Sequence, residues 1–256
     1  MTHFLPIARH AVGRRGLALA LLSISATVSC TDSETLPSTV PALTTVDLTL
    51  ESSSIEVGQT ISASAVALDQ NAAPISATSV IYYSNNPKVA IASPTTGKIF
   101  AVGPGTAQII ATIDERSGQR TITVSKPPGI KINEVKSNGD APGGWVELLN
   151  PTALTVDMSG WTLTDSNVLH SVPLPAGTTI PSHGYLLVDE ANFPVGLAAV
   201  DAVHVLSRYG VQVDGYAWTA TPATTLGRCP DGTGDFVVTS AATRGATNTC
   251  AKTAPR

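Results

Sequence analysis

Beyond the first thirty residues the histidines are His170, His183 and His204. None stands three or four positions from another histidine or a cysteine, and the one acid at such a spacing, Asp201 before His204, makes no zinc pattern by itself. His204 lies between valines and reads as a packed, hydrogen-bonded side chain. No Gly-x-Ser-x-Gly turn occurs, and the serines and threonines are dispersed, so a nucleophile with its own base is not visible. Asp231-Gly-Thr-Gly-Asp235 places two carboxylates around a glycine turn, as a calcium loop does. An EF-hand loop requires a glutamate at its twelfth position, which here is Ala242. A plain turn with positive φ is the expected reading. Glu134, Glu147 and Asp165 contain a conceivable pair for glycoside hydrolysis, but acids near strand ends more often bond backbone amides. Lys126, Lys131 and Lys136 form a basic spot too sparse for a nucleic-acid groove. Catalytic, metal and cofactor sites are therefore not expected.

The three cysteines have different expected fates. Arg9, Arg14 and Arg15 precede an apolar run, Leu17 to Ile24, too short to span a bilayer, and small residues lead to Ser29 and Cys30. Residues 1–30 read as an export signal. Their end resembles a bacterial lipobox, with Thr27 where leucine is usual, which implies lipidation of Cys30; plain cleavage by ordinary signal peptidase is the alternative. In either case Cys229 and Cys250 remain as a pair in a compartment that permits oxidation. Their bridge would close a loop of about 20 residues, worth on the order of 3 kcal/mol. Two free buried cysteines are the alternative.

Charged residues make up 13% of the 256 residues and the net charge is −4, which speaks against a nucleic-acid partner and against an acidic disordered tail. Glycines and prolines separate short apolar runs, the pattern of an all-β protein. Residues 31–44 mix Thr, Ser, Pro, Asp and Glu without periodicity and read as a flexible tether. Alternating segments between 45 and 125 predict about seven strands. Residues 126–129 (Lys-Pro-Pro-Gly) form a stiff joint. Segments at 130–135, 145–149, 156–163, 184–188, 201–206 and 211–214 predict a second sandwich over 130–250. It is organised around Trp145 and Trp161, and a disordered end follows at 251–256.

Residues 45–125 resemble a bacterial Ig-like domain of group 2. The resemblance lies in Val57-Gly-Gln-Thr60, Tyr82 to Ala90, Thr96-Gly97 and Ala101 to Ala107 leading into Ile109 to Thr112. Tyr82 stands where that family has tryptophan and is expected to fill the core, with Tyr83 at the rim; a carbohydrate-stacking pair is the alternative. The resemblance implies a spacer or adhesive role without catalysis. Residues 130–250 resemble a lamin tail domain through Ile132 to Val135, Trp145 to Leu148, Asn150-Pro151 and Met158 to Trp161 with Leu163 and Asp165. Leu174 to Gly177, Gly184 to Val188, Val213-Asp214, Arg228, Pro230 to Phe236, Gly245 and Asn248 extend the match. Arg244 stands where bacterial members often carry proline.

The fold class expected is therefore all-β, two Ig-like β-sandwiches in tandem after a signal peptide and a disordered tether. The function expected is that of a non-enzymatic, exported and lipid-anchored cell-envelope protein, at the outer membrane or cell surface. An adhesive or spacer domain would be followed by an interaction module. The partners expected are a cell-surface or extracellular protein or glycan, and the membrane through the lipid, with no nucleic acid. The alternative is an accessory subunit that recruits or presents an exported nuclease or phosphatase. With leader and tether removed, the two sandwiches leave no length for a catalytic domain.

Overall fold

The computed structural model describes residues 40–250 apart from 78, 139–142, 168 and 193–195. The leader with Cys30, most of the expected tether and the last six residues lie outside the described residues.

The described residues form strands and loops with one 3-10 turn, Glu190–Asn192, and no α-helix. The first sandwich packs two sheets. One orders Thr45–Leu50, Thr60–Leu68, Lys98–Ala101 and Ala90–Ala92, with Pro74–Ile75 also paired to Thr60–Leu68. The other orders Ser54–Glu56, Arg116–Ser125, Gly105–Ile113 and Ile81–Ser84. Alternation decides the inner faces: Val46 and Leu48, Ile99 and Ala101, Ala107, Ile109, Ala111 and Ile113, and Ile122 and Val124 are all buried in one cluster. Tyr82 joins that cluster while Tyr83, one residue on, is exposed, as the period of two requires. The ring of Tyr82 lies against Gly97, where a Cβ would sit 3.2 Å from it and 2.5 Å from the carbonyl oxygen of Ala63. Gly97 also has φ +66°, so both turn and ring position depend on the missing side chain.

Two short strands, Ser54–Glu56 and Pro74–Ile75, were not legible as separate apolar runs. Ser54–Glu56 pairs in parallel with Thr123–Ser125, an arrangement that local alternation does not signal.

The second sandwich packs a five-stranded sheet on a four-stranded one. The first orders Tyr185–Asp189, Trp145–Leu149, Lys131–Lys136, Leu226–Cys229 and Asp235–Val238. The second orders Ser171–Pro173, Thr162–Thr164, Asp201–Leu206 and Gln212–Trp218, and a small ladder joins Val156–Asp157 to Thr179–Ile180. Between the sheets lie Ile132, Val135, Val146, Leu148, Met158, Trp161, Leu163, Val203 and Val205.

Trp145–Leu149 is buried along its whole length. Val146 and Leu148 face the core. Trp145, Glu147 and Leu149 point the other way, beneath the chain that runs from Pro230 to Cys250. Arg244 stacks its guanidinium 5.3 Å from the Trp145 ring, Gly245 donates to Glu147, and Gly232 comes so close that a Cβ would sit 2.8 Å from Leu149 Cδ2. A strand covered on both faces loses the polar half of its alternation, which is why Trp145-Val-Glu-Leu-Leu149 reads as an almost unbroken apolar run.

Candidate functional site

Lys131–Lys136 carries two consecutive polar residues, Asn133 and Glu134, that are both fully buried. A register shift between Ile132 and Glu134 explains them. The bulge lets Ile132 and Val135 enter the core while Asn133 and Glu134 turn to the opposite face. There Glu134 is paired directly across from Glu147, also without solvent exposure. Two neighbouring buried acids could be the start of an acid/base site, so their remaining contacts decide their role.

Every contact leads back to the fold. The Glu134 carboxylate accepts hydrogen bonds from the hydroxyl of Thr225, the amide of Thr243 at 3.1 Å and its hydroxyl at 2.9 Å. Glu147 accepts from Asn133 Nδ2 at 3.1 Å and from the Gly245 amide at 2.5 Å. Burial pushes the Glu147 carboxyl up to about 7; the bonds from Asn133 and Gly245 oppose this rise, and the charges of Glu134 and Asp231 add to it. Asp231 accepts from the Tyr185 hydroxyl at 2.6 Å and the Asn248 amide at 3.0 Å. Asn248 Nδ2 donates to the carbonyls of Asn133 and Arg228, and Asn133 Oδ1 accepts from Gly232. Cys229 and Cys250 are joined in a disulfide with Cα atoms 5.7 Å apart. The polar cluster and the disulfide hold one loop, Thr239 to Cys250, over the five-stranded sheet.

Asp165 lies apart from this cluster. It accepts from the Asn167 amide and pairs at 2.7 Å with His170 Nδ1, whose other ring nitrogen meets Asn167 Nδ2. The trio Glu134, Glu147 and Asp165 is thus one pair and a separate loop. His183 occupies a turn with φ +54°. His204 corrects the expectation of a hydrogen-bonded side chain: its Nδ1 is buried without a partner among the described residues. Gly215 is its cross-strand neighbour and supplies no side chain to meet it. The Asp231–Asp235 turn is likewise divided, since Asp231 faces Tyr185 and Asn248 while Asp235 begins a strand. Among the described residues no three His, Cys, Asp or Glu side chains gather as a metal site.

Two sheets of the second sandwich are pinned at their edge by Arg228 and Asp214. Arg228 Nη2 donates to both Asp214 carboxylate oxygens at 3.2 and 3.0 Å, its Nε donates to the Ile132 carbonyl, and its guanidinium lies 4.6 Å from the Phe236 ring centre. Asp214 also accepts from the Ile132 amide, and Lys131 Nζ approaches it at 3.9 Å. Phe236 stacks on Tyr216 with ring centres 3.6 Å apart.

A feature with more room lies where the two sandwiches meet the Lys126–Gly129 joint. A cleft of about 390 Å³ is lined there by Glu56, Lys126, Leu154, Asp157, Trp161 and Arg208, among others. Arg208 Nη2 donates to the Asp157 carbonyl and carboxylate at 3.0 and 3.1 Å. The hydroxyl and amide of Ser159, and then Arg208, hold the Asp157 carboxyl down at about 2. Glu56 Oε1 is buried and has no partner among the described residues. Its carboxyl is pushed up by burial, against the opposing charge of Arg208. No sequence motif marks this cleft, because its residues are far apart in the chain and meet only through the joint.

The architecture defines the chain as a tandem of Ig-like β-sandwich modules. Residues 42–124 match the family model Bacterial Ig-like domain (group 2), and residues 123–226 match Lamin Tail Domain. The chain carries these two domains in that order. The described strands of the second sandwich continue past the matched segment to Val238. No match is found among curated proteins. Among solved structures, domains 5-6 of the S-layer protein SbsC align at 13% identity and a TM-score of 0.29, over 70% of this chain and 97% of that one. The S-layer protein rSbsC(31-844) aligns at 16% identity and 0.32, over 77% and 32%. The adhesin InvE of Yersinia pseudotuberculosis aligns at 13% identity and 0.27, over 72% and 67%. At such values a shared function does not follow.

Proposed function

We propose that the chain is a non-enzymatic, exported and lipid-anchored surface protein. Its Ig-like domain serves as spacer or adhesive module and its lamin tail domain as an interaction module. The observation that carries the non-catalytic reading is the engagement of Glu134 and Glu147. Both acids are spent on the amides of Thr243 and Gly245, and neither is exposed to a substrate. The residues that carry the lamin tail resemblance, among them Trp145, Glu147, Asn150, Arg228, Gly245 and Asn248, contribute packing and internal hydrogen bonds. The match to a group 2 bacterial Ig-like domain supports a spacer or adhesive role. The leader and Cys30 support export and anchoring.

The test is the intact mass of the mature chain, taken from a membrane fraction. A chain that starts at Cys30 with an added diacyl or triacyl mass is expected. An unmodified chain in the soluble fraction overturns the anchor. Turnover of a nuclease or esterase substrate by the purified protein, lost in Glu147→Gln with the fold intact, overturns the non-catalytic reading.

A further inference from the structure

We infer that the tip of the loop over the five-stranded sheet, Ala241 to Thr247, is a pH-operated lid on the Trp145 ring. It is held down while one of the two acids beneath it keeps its proton, and released when that proton is lost. The inference rests on neither the lipid anchor nor the adhesive role.

The loop has a fixed base and a lightly held tip. At the base the Ser240 amide donates to the Thr249 carbonyl at 3.0 Å, Asn248 Nδ2 donates to the carbonyls of Asn133 and Arg228, and Cys250 is bonded to Cys229. The tip is exposed apart from the half-buried Thr243. It meets the sheet through Thr243 on Glu134, Arg244 on the Trp145 ring and Asp189, and Gly245 on Glu147. Thr247 adds a weaker contact to the Tyr185 hydroxyl at 3.4 Å.

Glu134 and Glu147 are therefore both the floor beneath the lid and its clasps. They face each other across neighbouring strands, neither is exposed, and the hydrogen bonds they accept come from neutral groups. The cations of the surrounding elements are engaged elsewhere: Arg244 pairs with Asp189, Arg228 is held by Asp214, and Lys136 stands opposite Trp145 at its strand end. Asp231 adds a further negative charge. Tyr185 is raised above its usual range by burial and by its bond to Asp231, so it stays neutral.

Two carboxylates shut off from water without a counter-ion ionise together only at high cost, so one proton stays. Burial pushes Glu147 up to about 7 and makes it the acid that keeps that proton. Once it leaves, water must be admitted, and the exposed tip gives way more easily than either strand. With the lid open Glu147 titrates near 4.5, so the closed state loses ground as pH rises from about 4.5 through about 7. Raising the tip carries Arg244 off the Trp145 ring, which is 2% exposed when the lid is down.

The experiment is hydrogen exchange on the purified, oxidised full chain at pH 5 and pH 8, with rates corrected for intrinsic base catalysis. Protection at the Thr243 and Gly245 amides and the Trp145 indole N–H is expected to fall about tenfold or more at the higher pH. At pH 8 those rates should be indifferent to low urea, as a local opening requires, while the core amides of Leu163 and Val203 speed up with it. Glu147→Gln cannot ionise and Glu134→Gln removes the opposing charge; each is expected to abolish most of the fall. Equal loop protection at the two pH values overturns the inference. So does loop exchange that follows urea in step with the core, or a fall that survives intact in Glu147→Gln. Should one variant not fold, the other decides; should neither fold, the native chain's pH and urea profiles decide.

Discussion

Glu134 and Glu147 lie directly opposite each other on neighbouring strands, both sealed from solvent, and hold residues two positions apart on the same loop, Thr243 and Gly245. A pair of like charges so close is tolerable when one of them keeps its proton, and the raised carboxyl of Glu147 has that character.

The pH dependence follows from its sign. In the folded chain Glu147 holds its proton up to about 7, against 4.5 for the free side chain. Between those values the folded state binds more protons than the unfolded one, so this residue's contribution to stability falls as pH rises from about 4.5 to about 7. Glu147→Gln should remove that part of the fall. The check is the urea midpoint of both proteins at pH 5 and pH 8: the midpoint difference between the two pH values should shrink in the variant. An unchanged difference contradicts the protonation assigned to Glu147.

Glu134→Ala leaves the Thr225 hydroxyl and the Thr243 amide without their acceptor beneath the loop. A loss of about 2–3 kcal/mol is expected from equilibrium denaturation. Hydrogen exchange should accelerate first at Thr243 and the neighbouring loop amides.

Cys229 and Cys250 should both escape labelling when thiols are blocked before denaturation. Replacing both by serine should cost about 3 kcal/mol in the chain-entropy account. Because the polar cluster holds the same loop independently, the double variant should still fold with the loop in place.

Gly58 has φ +89°, and a Cβ there would stand 2.8 Å from Val211 Cγ2 and 3.0 Å from Tyr209 Cβ, across the joint. Gly177 has φ +83° with nothing within 4 Å. Both Gly→Ala changes carry the backbone cost, about 1–2 kcal/mol, and only Gly58→Ala adds the clash. Its stability loss should exceed that of Gly177→Ala, and small-angle scattering should show an altered joint for Gly58→Ala alone.

The tandem of sandwiches was legible because its cores obey local rules. Val46 and Leu48 alternate inward, Tyr82 and Tyr83 divide between core and surface, and Trp161 joins the core of the second sandwich; Trp145, expected there too, is buried instead on the opposite face of its strand, under Arg244 of the closing loop. The closing loop was legible only as a set of familiar residues. Its logic depends on the bulge at Asn133, which sets on one face two polar residues that plain alternation would have divided between two. The adjacent Asn133 and Glu134 between Ile132 and Val135 were the available signal. The expectation for His204 failed because its ring lies over Gly215, where a Cβ would stand 2.7 Å from Nδ1, and that neighbour is set only by the hairpin. The cleft was not legible at all, since Glu56 and Arg208 belong to different domains.

The parallel pairing of Ser54–Glu56 with Thr123–Ser125 has a mechanical consequence. Thr123 donates its amide to the Ser53 carbonyl at 2.8 Å, and Val57 donates to Ser125 at 3.0 Å. Tension that enters before Thr45 and leaves through Lys126 draws these two strands in opposite directions along their length. Their hydrogen bonds are then loaded in shear and must yield together, whereas a hairpin pulled from its open end peels apart one bond at a time. A pull that reaches Ser54 is thereby met by this set of bonds together rather than by one bond at a time.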